Sequence, residues 1–390
     1  MTPRVSRIVL AGVLGAPLAA QSFVDLTEAR TPANPYSSLF EIEAGVVGTH
    51  AAEEAKDVGL TNEVSWDGHV YYRDESFSSR SGTIEAYAGR DGVYAGFYDG
   101  KLIGDETVTR LEFRGRPWQF YRDGSYRGSN FVPSGLFEGS DYEGYLGFGK
   151  EADQGLYVEL GPFYRRNSFR SSSLAGGSSS FVIPEDYAGY GGRLYIEQNT
   201  AQMDRRRGLA QSGYVLTLIG EREWNDSEGV VGDSASGETE LPSALWRARA
   251  RLEWYIPSTD TMTWEIYGRG GWNDQKDRVN NDDSSRPLGD QWADVQARLR
   301  ISFGNSWTVT PFVQGQYSKI SSNDPAAKDR KFFFGGGVES YFHLSEGFSL
   351  HGYYSYLDNE SRPSILVDED AHGEHMFYMG LVMRFGAQRK

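Results

Sequence analysis

The nine residues from Trp246 to Trp254 alternate strictly between apolar and charged side chains. A β-strand points successive side chains to opposite faces, so this segment predicts a strand with one apolar face and one ionic face. A helix would mix the two sets around its circumference. The same alternation recurs at 294–303 and 376–385. In a soluble sandwich the ionic faces would meet solvent, whereas in a membrane barrel the apolar faces meet lipid and the ionic faces line the lumen.

The composition favours the barrel. The 390-residue chain has 47 Gly, 24 Tyr, 21 Phe and 9 Trp, yet only 39% of its residues are hydrophobic. Half of each barrel strand is polar, and belts of aromatic rings mark the two membrane interfaces. No run of about 20 apolar residues follows the N-terminus, which excludes a helical membrane protein. The net charge of -15 argues against a nucleic-acid partner, and the absence of cysteine excludes disulfides and thiolate metal sites.

The first twenty residues have the organisation of a secretory signal. Arg4 and Arg7 form the basic end, residues 8–18 the apolar segment, and Ala19-Ala20 the small residues before a cleavage site. A short N-terminal helix or anchor is the alternative interpretation. The predicted organisation is a signal peptide at 1–20, a short periplasmic segment at 21–38, a β-barrel at 39–386 and a C-terminal tail at 387–390.

Alternation and turn residues predict about 16 strands, most of them near the roughly 9–11 residues that a tilted transmembrane strand needs. The predicted strands span 39–49, 62–73, 81–90, 92–99, 105–115, 141–150, 155–166, 186–198, 212–224, 244–256, 261–273, 292–304, 306–318, 331–343, 348–357 and 375–386. Between the last eight strands, connections 225–243, 274–291, 319–330 and 358–374 are long and alternate with short ones at 257–260, 305 and 344–347. Short periplasmic turns and long outer loops produce this alternation. The sequence therefore predicts an all-β, antiparallel, up-and-down transmembrane barrel.

Three segments depart from the alternation. Residues 199–211, which include Arg205-Arg206-Arg207, form a long connection where a short one is expected. The turn at Arg90-Asp91 is short where a long one is expected. Residues 116–140 fit a further strand, a folded loop or a plug of the lumen. Barrels of 14 or 18 strands are therefore also compatible with the sequence.

Together these features resemble Gram-negative outer-membrane β-barrel proteins of the porin type. The most specific one is a final strand whose alternating apolar side chains close on an aromatic ring, namely Phe377, Met379, Leu381, Met383 and Phe385. In proteins of this class the pattern is the signal that the barrel assembly machinery reads, although the aromatic is usually the last residue and here the tail Gly386–Lys390 follows. The resemblance implies a place in the cell outer membrane, with its lipid, lipopolysaccharide and the assembly machinery as partners. Homotrimers are common in this class, but the sequence has no diagnostic interface for one.

The charged faces predict the lining of a pore. Strands ten to twelve contribute a basic row, which consists of Arg247, Arg249, Arg251, Arg269, Arg298 and Arg300. The early strands contribute an acidic row, Glu41, Glu43, Glu85 and Glu159, and the fifth strand a mixed set, Arg110, Glu112 and Arg114. In a closed barrel the two rows would face each other, and such charges set ion preference. We therefore predict a channel for passive diffusion of small hydrophilic solutes, biased toward anionic or dipolar ones.

Two other functions compete with the channel. Opposite charges can pair inside a narrow barrel and fill it, which would give a non-enzymatic scaffold or a polymer-export barrel with an occluded lumen. A barrel enzyme acting on lipid is the second alternative, but the chain has no Gly-x-Ser-x-Gly elbow, and His351 shows no obvious serine or carboxylate companion on its face. The histidines and carboxylates at 368–375 fit a solvated loop better than any metal motif. The sequence thus predicts no catalytic residue, no metal site and no cofactor.

Overall fold

The computed structural model describes residues 36–51, 63–77, 82–89, 92–100, 102–104, 107–127, 130–171, 181–204, 209–226, 229–233, 239–275, 290–319, 330–345, 347–357 and 374–388. Nearly all of these residues lie in β-strands. No helix among them is long and apolar enough to cross a membrane. The predicted signal peptide, most of the predicted N-terminal segment, Arg205-Arg206-Arg207 and nearly all of the acidic loop at 368–375 lie outside the described residues.

The described residues form twenty strands. They are β1 (Tyr36–Ala51), β2 (Glu63–Asp74), β3 (Thr83–Gly89), β4 (Gly92–Asp99), β5 (Val108–Arg127), β6 (Asn130–Ala152), β7 (Leu156–Ser171), β8 (Phe181–Val182), β9 (Tyr187–Asn199), β10 (Gln202–Asp204), β11 (Leu209–Asn225), β12 (Gly229–Asp233), β13 (Thr239–Leu241), β14 (Ala244–Thr259), β15 (Met262–Asn273), β16 (Gln291–Phe303), β17 (Trp307–Lys319), β18 (Arg330–Ser345), β19 (Phe348–Leu357) and β20 (Glu374–Gln388). Sixteen of them, all except β8, β10, β12 and β13, form a closed antiparallel barrel, which confirms the predicted fold. Each wall strand pairs with its sequence neighbours, and β1 closes the barrel against β20, from Tyr36 opposite Gln388 to Ala51 opposite Glu374.

The alternation in sequence decides which face of the wall points outward. On β14, Trp246 and Trp254 are exposed, whereas Arg247 and Glu253 on the opposite face are buried. The outward face carries two belts of rings, one including Trp224, Trp246 and Trp272 and the other including Tyr214, Trp254, Trp264 and Trp307. Two such belts mark the edges of the lipid-facing band. The apolar faces therefore point away from the barrel axis and the ionic faces toward it.

The two ends of the barrel have different connections. We call the end that holds Tyr36 and Gln388 the terminal end and the opposite one the loop end. The long predicted connections at 225–243, 274–291, 319–330 and 358–374 all lie at the loop end. The connections after β14, β16 and β18 lie at the terminal end and span two or three residues. The predicted alternation is therefore present in the structure.

At the loop end the wall is uneven in height. β5 and β6 continue past their neighbours as a paired hairpin, up to Arg127 opposite Asn130. Residues 116–127 and 130–140 are thus the upper half of this hairpin and not an additional wall strand. β3 and β4 are only 7 and 8 residues long and pair up to Gly89 opposite Gly92, in agreement with the predicted short turn.

A small second sheet covers part of the loop end. β12 pairs with β13 and with β8, outside the barrel wall. Val231 of β12 and Leu241 of β13 are buried against Phe137 of β6 and Tyr187 of β9. The sequence predicted only a long connection at 225–243, because strands of two to five residues are too short to show a periodic pattern. Part of the loop end is therefore a packed structure with its own apolar cluster.

The described part of the long connection at 199–211 is also folded. β10 pairs with the start of β11, where Asp204 lies opposite Leu209. At the base of this hairpin Gly213 adopts a positive φ of 91°, and a side chain there would collide with the carbonyl oxygen of Thr200. The carbonyl oxygen of Ala210 accepts a hydrogen bond from the Arg300 guanidinium of β16, which is three wall strands away. The hairpin therefore leans toward the inner face at the terminal end.

Candidate functional site

All ten side chains predicted to line a pore lie on the inward face of the wall. They are Arg247, Arg249, Arg251, Arg269, Arg298, Arg300, Glu41, Glu43, Glu85 and Glu159, and their strand neighbours point outward. Their effect on passage stays a prediction. What the structure adds is the identity of their partners, which depends on strand register and not on alternation.

A central group of charged side chains, which we call the arginine–glutamate network, lies on six neighbouring wall strands, β5, β6, β7, β9, β11 and β14. Its members are Arg110, Arg165, Arg193, Arg247, Glu112, Glu143, Glu159, Glu221 and Glu223. Arg165 of β7 lies at its centre and donates to Glu223 of β11 at 2.6 Å and to Glu143 of β6 at 2.5 Å. Arg247 of β14 donates to the same oxygen of Glu223 at 2.6 Å. All of these side chains are buried, so water does not screen their interactions well.

Tyrosine rings complete this network. The hydroxyls of Tyr145 and Tyr157 donate to Glu159 at 2.8 and 2.5 Å. The Arg110 guanidinium lies 4.9 Å from the ring centre of Tyr195, and that of Arg193 lies 4.8 Å from the ring centre of Tyr145. Flat rings stack on guanidinium planes and their hydroxyls satisfy carboxylate oxygens. This interleaving buries Glu159 while both of its carboxylate oxygens accept hydrogen bonds.

The remaining predicted residues pair with near neighbours along the wall. Arg269 contacts Asp294 at 2.8 Å, and Arg300 contacts Glu265 at 2.9 Å. Arg298 contacts Glu265 and Glu339, and Arg251 contacts Glu253. On the acidic side, Glu85 contacts Arg73, Glu159 contacts Arg110, and Glu41 contacts Arg384. The sequence predicted that these charges face each other across the lumen. In the structure most of them are instead neutralised by an opposite charge no more than two strands away along the wall.

Exposure separates the inward arginines into two groups. The Arg247 side chain is 1% exposed and that of Arg300 is 10% exposed, whereas Arg114 reaches 40% and Arg384 37%. Arg114 lies 3.6 Å from Glu143 and 3.9 Å from Glu112, which are loose contacts for an ion pair. Sequence reasoning placed Arg114 in a mixed set and passed over Arg384, which stands among the apolar residues of the last strand. These two side chains are better placed to meet a solute than most of the predicted row.

A second polar group lies where the barrel closes. The histidine–glutamate cluster, as we name it, consists of Glu41, Glu43, His69, Glu339 and His351. His351 of β19 lies 2.7 Å from Glu43 of β1 and 3.1 Å from Glu339 of β18. The sequence analysis expected no carboxylate companion for His351, and this expectation was wrong. Its partner Glu43 is 308 positions away and reaches it only through the closure of β1 on β20.

Three members of this cluster could hold a metal ion. One ligand atom each from Glu41, Glu43 and His69 lies within 4.8 Å of the others. The two glutamates share a face of β1, and His69 lies opposite Glu43 in the register of β2. A sequence pattern gives the Glu-x-Glu spacing but not the strand that lies beside it, which is why the group was missed.

Comparisons with known proteins place the fold and no more. No protein-family model matches the chain, and no curated protein sequence matches it. Among solved structures, BamA from Haemophilus ducreyi lacking POTRA domains 1-3 matches with a TM-score of 0.50 and 10% identity, covering 90% of this chain and 70% of that one. CdiB from Acinetobacter baumannii matches with a TM-score of 0.51 and 9% identity, covering 89% of this chain and 60% of that one. A NanC porin structure matches with a TM-score of 0.29 and 11% identity, covering 68% of this chain and 97% of that one. The fold is that of outer-membrane β-barrels.

Proposed function

We propose that the protein is an outer-membrane channel for passive diffusion of small hydrophilic solutes. The observation that supports this proposal is the closed sixteen-stranded wall with an ionic inward face. Barrels of about 16 strands are wide enough to enclose water, whereas barrels of about eight are filled by their side chains. Passive diffusion needs no cofactor and no catalytic group, and we assign neither.

We further propose that the more accessible inward arginines bias passage toward anionic or dipolar solutes. Arg114 is the most exposed of them, with a side chain that is 40% exposed, and Arg249 of the predicted basic row is partly exposed whereas its strand neighbour Arg247 is buried. The positive charge of a side chain that reaches the lumen acts on a passing anion more strongly than one buried against a carboxylate. The bias is therefore assigned to part of the basic row and not to all of it.

The proposed location follows from the same wall. An apolar outward face between two aromatic belts suits a bilayer, and the loop end would meet lipopolysaccharide. On β20 the predicted assembly signal points outward, with Phe377, Met379 and Phe385 among its exposed members. We propose that the assembly machinery reads this strand, as the resemblance implies. A trimer is not assigned.

Planar-bilayer recordings test the channel and its bias. Wild-type protein should conduct, and Arg114→Gln/Arg249→Gln should lower the anion-to-cation permeability ratio by roughly a factor of two or more. A matched control is Arg222→Gln, which removes a positive charge from the outward face, where Arg222 packs over the rings of Trp224 and Trp246. The control should leave the ratio unchanged. An equal shift in both variants would show that these inward arginines do not border the passage.

The occluded barrel is the second candidate, and one observation favours it. The arginine–glutamate network contains carboxylates with almost no exposed surface, such as Glu159 and Glu223. Side chains packed this closely could fill the lumen and support a scaffold or polymer-export role. Wild-type protein that inserts into bilayers and carries no current would favour this function over the channel.

A further inference from the structure

The histidine–glutamate cluster differs from the rest of the inner wall in accessibility. Side chains of Glu41, Glu43, His69, Glu339 and His351 are 11–16% exposed. The carboxylates at the centre of the arginine–glutamate network, Glu159 and Glu223, are 0% exposed. Small ions in the lumen can therefore reach this cluster but not Glu159 or Glu223.

The spacing of the nearest atoms suits a small metal ion. His69 Nε2 lies 3.2 Å from Glu41 Oε1. Two ligands of a tetrahedral ion with bonds of about 2.0–2.2 Å stand about 3.3–3.6 Å apart, so these two atoms need to separate by only a few tenths of an ångström. The contributing oxygen of Glu43 lies within 4.8 Å of both, and a side-chain rotation that moves it by about 1 Å would complete the set.

Each carboxylate is held through one oxygen and keeps the other for a ligand. Arg384 donates to Glu41 Oε2, which leaves Oε1 beside His69. Tyr378 and His351 both bond to Glu43 Oε1, each at 2.7 Å, which leaves Oε2. Carboxylate ligands of metals are typically oriented by second hydrogen bonds of this kind. His69 is oriented as well, because its ring stacks on Tyr87 with centres 5.5 Å apart.

Metal binding at the cluster would be linked to the protonation of its histidines. Among the described residues, Glu43 forms ion pairs and side-chain hydrogen bonds with His351 and Tyr378 but with no arginine or lysine. Arg384 forms an ion pair with Glu41, and Arg298 forms ion pairs with both Glu339 and Glu265. His351 faces a carboxylate through each of its ring nitrogens, an arrangement in which both nitrogens donate and the imidazole is cationic, so a metal ion would bind in exchange for a proton.

We propose that Glu41, Glu43 and His69 bind one divalent transition-metal ion of the Zn²⁺ class on the inner wall of the barrel. An imidazole nitrogen with two carboxylate oxygens suits Zn²⁺, Mn²⁺ or Fe²⁺ better than Mg²⁺ or Ca²⁺, which prefer oxygen ligands alone. Lumen water would fill the remaining coordination position. This site is independent of whether solutes pass through the barrel.

Calorimetric titration of the detergent-solubilised barrel with ZnCl₂ tests the site. The protein should carry no polyhistidine tag, and His372→Ala/His375→Ala should serve as the background, because these two histidines stand within a run of carboxylates at 368–375 and could bind Zn²⁺ on their own. We expect the background protein to bind one Zn²⁺ with 5 mM Mg²⁺ present. Mg²⁺ is then in roughly a hundredfold or greater excess over protein, and at this excess it would displace Zn²⁺ from a site made of oxygen ligands alone. His69→Ala and Glu43→Gln should each weaken binding at least about tenfold.

The matched control is His343→Ala, which removes an inward histidine that bonds to Ser349 at 2.8 Å and stands apart from the three ligands. It should bind Zn²⁺ as the background protein does. The proposal is overturned if the background protein binds no Zn²⁺, if Mg²⁺ displaces the ion, or if His69→Ala binds as tightly as the control. Heat-modifiable mobility in gels shows whether each variant is a folded barrel, and visible absorption after loading with Co²⁺ reports directly on nitrogen ligation in those that are.

Discussion

Replacement of Arg165 by methionine should lower the free energy of unfolding by about 3–5 kcal/mol. Arg165 is 3% exposed and donates to Glu143 and Glu223, which are themselves buried. Removing a buried cation leaves its carboxylates without compensation in a poorly hydrated place, and that penalty exceeds the value of the ion pair itself. Urea unfolding from phospholipid vesicles, followed by tryptophan fluorescence, would measure the loss.

Arg170→Met is the matched control for this experiment. Arg170 lies five positions further along β7 and pairs with Glu138, but its side chain is 60% exposed. Exposed ion pairs contribute about 0–1 kcal/mol, so the control should change stability little. The double variant Arg165→Met/Glu223→Gln should regain part of the lost unfolding free energy, because it also removes one of the buried carboxylates that lost its cation. Equal effects of the two single variants would contradict a stabilising role for the buried network.

Replacement of Ala250 by arginine should cost about 2–4 kcal/mol of folding free energy in vesicles. Ala250 is exposed on the outward face of β14, midway between Trp246 and Trp254 of the two aromatic belts. An arginine at this depth would place its charge in the centre of the hydrocarbon layer. The same vesicle unfolding assay applies.

The matched control for Ala250 is Ser258→Arg on the same strand. Ser258 is exposed beyond Trp254, next to the turn at the terminal end, where an added charge should cost about 0–1 kcal/mol. The difference in folding free energy between Ala250→Arg and Ser258→Arg measures how deep Ala250 lies in the membrane. Equal costs would mean that the outward face of the wall does not meet lipid, and the location that we propose would then be wrong.

The wall and the direction of its faces could be predicted because each depends on local alternation. Arg247 and Trp246 are adjacent in sequence, and strand geometry alone sends them to opposite sides. The length of connections then gave the side on which each loop lies. Long strands with regular alternation, such as β14, were therefore found close to their observed bounds.

The partners of the inward charges could not be predicted in the same way. Glu43 meets His351 across 308 positions, and Arg165 meets Glu223 across 58, because register and barrel closure bring them together. A shift of two residues between β1 and β20 would move Glu43 to another neighbour and would leave the inward and outward faces as they are. Strands such as β12 are too short to show a periodic pattern, so their positions could not be predicted. The exposure of Arg114 could not be predicted either, because it depends on how whole strands pack.

The short strands β3 and β4 should also affect the thickness of the membrane beside them. Their 7 and 8 residues rise about 25 Å along the strand, and the tilt of the wall makes the height smaller still. Hydrocarbon chains of a bilayer about 30 Å thick are mismatched to this sector, and they must shorten or splay to cover it. We therefore expect lipid around the barrel to be compressed on the β3–β4 side, so that the bilayer is locally thinned there and the barrel is not encircled by an even annulus.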